Sequence, residues 1–215
     1  MKSLKQNSYL RKFAIAVVIV AIELLITAPA FAHHPLDGRL PANFLEGIMS
    51  GVGHPIIGID HLAFVVASGL IAVGTVAGMI IPFAFIFATG IGAGIHLVSI
   101  SLPIPEIMIA ASVVLFGVLL AIDNKQKTSN YSLMAIALAA FAGIFHGYAY
   151  GEGIFGAEPT PMIAYLIGFI TIQLAIALGT YIITKRAIKS IPAKHLMRFA
   201  GGAIASCGIV FLSNL

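Results

Sequence analysis

Residues 41–61 read Pro-Ala-Asn-Phe-Leu-Glu-Gly-Ile-Met-Ser-Gly-Val-Gly-His-Pro-Ile-Ile-Gly-Ile-Asp-His, and how this stretch is counted decides the fold. It joins one apolar segment to another across His54-Pro55 and carries three ionisable residues, His54, Asp60 and His61, at the junction. If residues 41–57 crossed a membrane as a full span, every charged loop downstream would change sides. If they do not, basic loops fall inside and acidic ones outside.

The surrounding chain is apolar enough for that question to matter. Of 215 residues, 60% are hydrophobic and 9% charged, with a mean hydropathy of +1.04, whereas soluble domains carry roughly 25% charged residues. A soluble fold is excluded. Six apolar runs are long enough to cross a bilayer, at about 58–77, 79–99, 105–122, 131–149, 161–184 and 197–213, a span needing about 20 residues. Gly74 and Gly78, Pro103 and Pro105, the polar loop from Asp123 to Asn130, Gly151 to Pro161 and Lys185 to Lys194 separate them. The expectation is an all-α, polytopic transmembrane bundle, one domain over residues 33–215.

Upstream, Lys2, Lys5, Arg11 and Lys12 precede an apolar stretch from Phe13 to Ile26 and the sequence Ala30-Phe31-Ala32. That pattern predicts a signal peptide, residues 1–32, cleaved after Ala32. Glu23 is unusual inside such a stretch and leaves an uncleaved first helix as the alternative. Both place His33 outside the cytoplasm.

Loop charge then orients the bundle, because loops rich in lysine and arginine stay in the cytoplasm. Lys125 and Lys127 share one loop, and Lys185, Arg186, Lys189, Lys194 and Arg198 lie in or beside another. Asp37, Glu46, Asp60, Glu106, Glu152 and Glu158 sort to the outer side, with Asp123 inside and Arg39 the basic exception. This holds only if 41–57 is a non-spanning or re-entrant outer segment, breaking at His54-Pro55. The predicted location is the inner membrane of a bacterium, with the mature N-terminus and the C-terminus both outside.

Without residues 1–32 the chain is close to neutral, so its basic pI of 9.3 does not imply nucleic acid as a partner. Cys207 stands alone and can form neither a disulfide framework nor a thiolate cluster. It reads as a small helix-packing residue. Glycines four apart, at 47 and 51, 74 and 78, 90 and 94, and 143 and 147, suit close helix packing where lipid gives no hydrophobic drive.

Ionisable groups at membrane depth are costly and face protein or a water-filled cavity. Here they gather toward one side: His54, Asp60 and His61 at the start of the first run, His96 and Glu106 around the second outer loop, and His146 and Glu152 at the end of the fourth run. Imidazole with carboxylate suits nickel, cobalt, copper and zinc, whereas an all-oxygen set would suit magnesium or calcium. On one regular helix His54 and His61 would stand about 10 Å apart. They meet only if the chain unwinds, which Gly51, Gly53 and Gly58 favour. Asp60 and His61 diverge by about 100°, so one of them ligates while the other orients a neighbour.

Cleavage after Ala32 would leave His33 with an α-amino group beside its imidazole and His34 next to it, either a terminal metal clamp or a solvated tail. His96 is either a site residue or an interhelical histidine, and Glu106 either a ligand or the acid that favours a helix N-terminus. His195, in the basic region, reads as a helix-end residue.

The stretch His54-Pro55-Ile56-Ile57-Gly58-Ile59-Asp60-His61 resembles the H-P-x-x-G-x-D-H signature of the HupE/UreJ family of nickel and cobalt permeases. Phe145-His146-Gly147-Tyr148-Ala149-Tyr150-Gly151-Glu152 is similar to that family's second, histidine-rich segment. The resemblance implies a secondary permease importing nickel or cobalt, with no permanent cofactor and no enzymatic activity. By it, His54, Asp60, His61, His146 and Glu152 handle the metal. Tyr148 and Tyr150 stand where many members have histidine, so two imidazoles are missing and the metal preference is open to copper or zinc.

No G-x-x-x-x-G-K-[ST] phosphate loop is present, which fits a permease driven without its own ATP hydrolysis. Two other classes share the ligand set: an intramembrane zinc hydrolase with Glu152 as base, and a metal-binding component of another membrane complex. The partners implied are the divalent ion and membrane lipid, with a homo-oligomer or a partner membrane complex as further alternatives.

Overall fold

The computed structural model describes residues 39–122 and 129–215. The expected signal peptide, His33, His34, Lys125 and Lys127 lie outside the described residues. Within them are seven helices and no strand: α1 Phe44–Ile57, α2 Ile59–Val73, α3 Ile80–Leu97, α4 Pro105–Ala121, α5 Ser129–Glu152, α6 Pro159–Ala187 and α7 Ala193–Ser213. Four of these, α3, α5, α6 and α7, are long and apolar enough to cross a membrane, and α1 with α2 makes a fifth if the bent pair is one span. At 17 residues α4 is a shorter apolar helix.

α1 begins where its end groups are satisfied. Asn43 caps it by accepting the Glu46 N–H at 3.0 Å, and Glu46 reaches back to accept the Ala42 N–H at 3.0 Å, a reciprocal arrangement that satisfies two otherwise orphaned donors. Glu46 also takes Arg39 at 2.6 Å, so the basic exception in the charge pattern is neutralised locally.

The chain does not break at His54-Pro55 as the sequence suggests. α1 runs through Pro55 to Ile57, since a proline there forfeits a single bond near the helix end. The break falls at Gly58, whose ψ of 94° leaves the helical region while its N–H closes on the His54 carbonyl at 2.9 Å. Across it the two helices are bent by 78°. The run expected at 58–77 is helical only over α2, 15 residues, which at ~1.5 Å per residue falls short of a bilayer core about 30 Å thick. α1 is therefore packed in as part of the bundle.

Glycines set the closest helix pairings. Gly47 faces Pro161 and Ala164, and Gly51 faces Tyr165 and Phe169, so α1 runs parallel to the first half of α6. α2 meets the same helix farther along, Gly69 against Ala177 and Thr180. α3 and α5 are parallel, Gly143 against Phe85 and Ala88 and Gly147 against Thr89, whereas α4 and α7 are antiparallel through Gly117, Gly201 and Gly208. Two of the expected glycine pairs do not pack: Gly90 and Gly94 face open space, Gly92 making the α3 contact instead, and Gly74 and Gly78 lie outside the helices, in the turn after α2.

Phe64, Phe85 and Phe116 form the centre of the main core, fully buried, with the Phe64 ring centroid 4.5 Å from that of Phe85 and 4.4 Å from that of Phe116. Outward-facing positions are also apolar: Phe83, Phe87, Leu133, Phe141 and Ile183 are half exposed or more, as a lipid-facing surface requires.

Candidate metal-handling site

The bend at Gly58 is what gathers the histidines. With 78° between α1 and α2, the His54 and His61 rings come to 5.7 Å between centroids, against the roughly 10 Å of a straight helix. Gly58 has no room for a side chain, since a Cβ would lie 2.7 Å from Cδ2 of His61. Gly153, beyond the end of α5, is likewise filled by His54, whose Nδ1 would stand 2.9 Å from a Cβ there. His146, from α5, closes the group with its ring 4.9 Å from that of His61. All three histidines are buried.

One arrangement of protons satisfies their hydrogen bonds. Ser112 donates its only hydroxyl proton to the Ile109 carbonyl at 2.7 Å, so at 3.0 Å it accepts from Nε2–H of His146. Nδ1 of His146 is then an acceptor and receives Nδ1–H of His61 at 2.8 Å. In the same way Tyr165 donates to the Tyr150 carbonyl at 2.9 Å and accepts from Nδ1–H of His54 at 2.6 Å. In this arrangement Nε2 of His54 and of His61 carries no proton, the form in which imidazole binds a metal. His146 uses both ring nitrogens in these bonds and orients His61.

Tyr150 stands between the two chains of bonds, fully buried, its ring 5.0 Å from His54 and 4.6 Å from His61. Its hydroxyl has no hydrogen-bond partner among the described residues. Asp60 lies in the first turn of α2, where a carboxylate suits the helix dipole. Its Oδ1 accepts the His61 N–H at 2.8 Å.

The remaining candidates lie at helix ends. Glu152 ends α5 and Glu106 begins α4, both exposed. His96 packs its ring on Tyr148 at 4.4 Å and Phe155 at 5.5 Å, with Nδ1 buried and unpartnered. Among the described residues no three histidine, cysteine, aspartate or glutamate side chains converge as a ready-made metal cage. What the fold assembles is an imidazole pair with an aromatic and hydroxyl surround. Tyr165, Ser112 and Gly153 belong to it and were not singled out from the sequence.

Comparison with known proteins gives the chemistry a lineage. A family model described as HupE / UreJ protein matches residues 20–211. The chain is also similar to Protein HupE of Rhizobium leguminosarum bv. viciae, 31% identical over 172 residues that cover 78% of this chain and 85% of that protein. No solved structure matches it.

Proposed function

The chain belongs to the HupE/UreJ family, a family of transporters and not of enzymes, and on that premise we propose that it imports a divalent first-row metal ion, nickel or cobalt, across the inner membrane. One observation carries the proposal: the imidazole rings of His54 and His61, each held through Nδ1 by a hydrogen bond, are gathered in a buried group between helices of a membrane bundle. Nitrogen donors suit nickel and cobalt. The second shell of a metal site fixes ring orientation, and Tyr165, His146 and Ser112 do so here.

We read the bundle as six crossings after a cleaved signal peptide, with α1 and α2 as one broken span. Helix directions support it. α1 and α6 are parallel, α3 and α5 are parallel, and α4 and α7 are antiparallel, which is the pattern that six alternating spans produce. Basic residues at the end of α6 and the start of α7 then face the cytoplasm, and Asp60 lies at the bend within the first span, beside His61. The ion is drawn to Asp60, exchanges water for Nε2 of His61 and His54, and moves inward. A dication gains roughly 4.6 kcal/mol on crossing 100 mV inward.

The test is metal-dependent dye quenching in liposomes that contain the purified chain. Nickel or cobalt enters with the wild-type protein, and His61→Ala lowers the rate about 100-fold, at the upper end for losing a group from a metal site. A wild-type protein that binds the ion but moves none is instead a metal-binding component of a larger complex.

A further inference from the structure

Beyond the histidines the interior divides into two. On the side of α2, α3 and α4, His146 abuts Phe64 at 4.8 Å and Phe85 at 5.4 Å, and with Phe116 these rings form a closed apolar layer. That layer offers a cation nothing. On the side of α6, the next group in line is polar. Phe169 stacks near Tyr150 at 5.0 Å and Tyr165 at 5.8 Å, and one turn farther along α6, toward its C-terminal end, stands Gln173.

Gln173 is fully buried, and its amide orientation is fixed by its bonds. Nε2 donates to the Phe169 carbonyl at 3.1 Å and, more weakly, to the Thr89 hydroxyl at 3.4 Å. Thr89 is itself fully buried and gives its own proton back to Ile86 at 2.7 Å. Oε1 of Gln173 is left as a buried acceptor with no partner among the described residues. An unsatisfied polar atom inside a membrane bundle is costly and calls for a purpose. Ser68 and Thr89 avoid that cost by bonding to their own helices. Gln173 does so with its nitrogen alone.

We propose that Oε1 of Gln173, beside the Thr89 hydroxyl, is an inner station that holds a partly hydrated divalent cation after it leaves His54 and His61. The inference rests on the transport function proposed above and adds a second site to it. Along α6, Gln173 lies about 12 Å beyond Tyr165 in the direction of Lys185, and Thr89 packs against Gly147, next to His146. The station is thus close to the histidines and deeper. Its chemistry also runs the right way, because a neutral oxygen binds a first-row dication more loosely than imidazole does. A conducting path needs sites weak enough to leave.

The experiment uses the full chain in liposomes with cobalt chloride, scoring uptake by an enclosed dye and binding by equilibrium dialysis of detergent-purified protein. Gln173→Leu should keep the tighter cobalt binding of His54 and His61, showing that it folds with the histidines in place, and lose the weaker second binding, while its uptake falls about tenfold or more, the worth of one lost interaction with a charged group. Gln173→Glu keeps an acceptor oxygen but loses the donor, so it should restore most of the uptake. If uptake by Gln173→Leu equals wild type while His61→Ala abolishes it, the inner station is wrong and the transport function stands. If Gln173→Glu fails as badly as Gln173→Leu, the residue acts through its N–H bonds and the station is likewise overturned. A wild-type protein that takes up neither cobalt nor nickel removes the transport function itself.

Discussion

The α1–α2 pair and the α3–α5 pair both depend on glycine, and they use it in opposite ways. Between α3 and α5, glycines remove side chains so that two straight helices touch backbone to backbone, Gly147 against Thr89 and Gly92 against Ile144. Between α1 and α2 a single glycine interrupts the helix and bends it by 78°. The straight pair gives His146 a rigid position. The bent pair brings His54 and His61, seven residues apart, onto one group. Stability and site geometry therefore reside in different glycines, and substitution separates them.

The largest effect is expected at Gly147. A valine there drives its Cβ into the backbone of Thr89, which cannot swing aside as a side chain would. Overpacking of this kind costs about 1–3 kcal/mol or more, so Gly147→Val should lower the melting temperature in detergent and reduce metal uptake together. At Gly58 the nearest obstruction is a side chain, the ring of His61, with the His54 carbonyl farther off at 3.2 Å. Gly58→Ala should leave the melting temperature nearly unchanged but cut uptake about 10- to 100-fold, as displaced groups around metal sites do. Equal losses of stability at both positions would erase the distinction. The smallest effect belongs to Gly90, which has nothing within 4 Å of an added Cβ. Gly90→Ala should preserve uptake and raise stability by at most ~1 kcal/mol, the helix preference of alanine.

Much of this was legible in the sequence, for reasons that differ by region. The helices α3 to α7 follow apolar runs bounded by prolines, glycines and charges, and their limits fall within a few residues of those expected. The bend was foreseen and misplaced by four residues, because proline is the conspicuous breaker while a helix tolerates it near its end. His54, His61 and His146 come together, yet nothing in their spacing told that His146 would use both nitrogens on neighbours. Glu106 was grouped with them by side of the membrane alone, and side says nothing of lateral position in a bundle; Glu152 was grouped by side and by the family resemblance, and stands exposed at the end of α5.

Tyr165 and Ser112 were missed because a tyrosine or serine in an apolar run looks like ordinary helix packing. Gln173 did leave a signal, as the single carboxamide in the run 161–184, and polar groups at membrane depth merit attention by default. The glycine pairs show the limit of spacing most clearly. The four-residue rule selected Gly90 and Gly94 on α3, and the contact is made by Gly92 between them, since which face of a helix meets a neighbour is settled by the rest of the bundle.

The most direct test of the central claim is a structure of the chain soaked with nickel or cobalt and recorded at the absorption edge of the metal. The anomalous peak should lie against Nε2 of His54 and His61, beside Tyr150, with His146 still bonded to Ser112. A peak at Glu152, Glu106 or His96 with the histidine group vacant would contradict it.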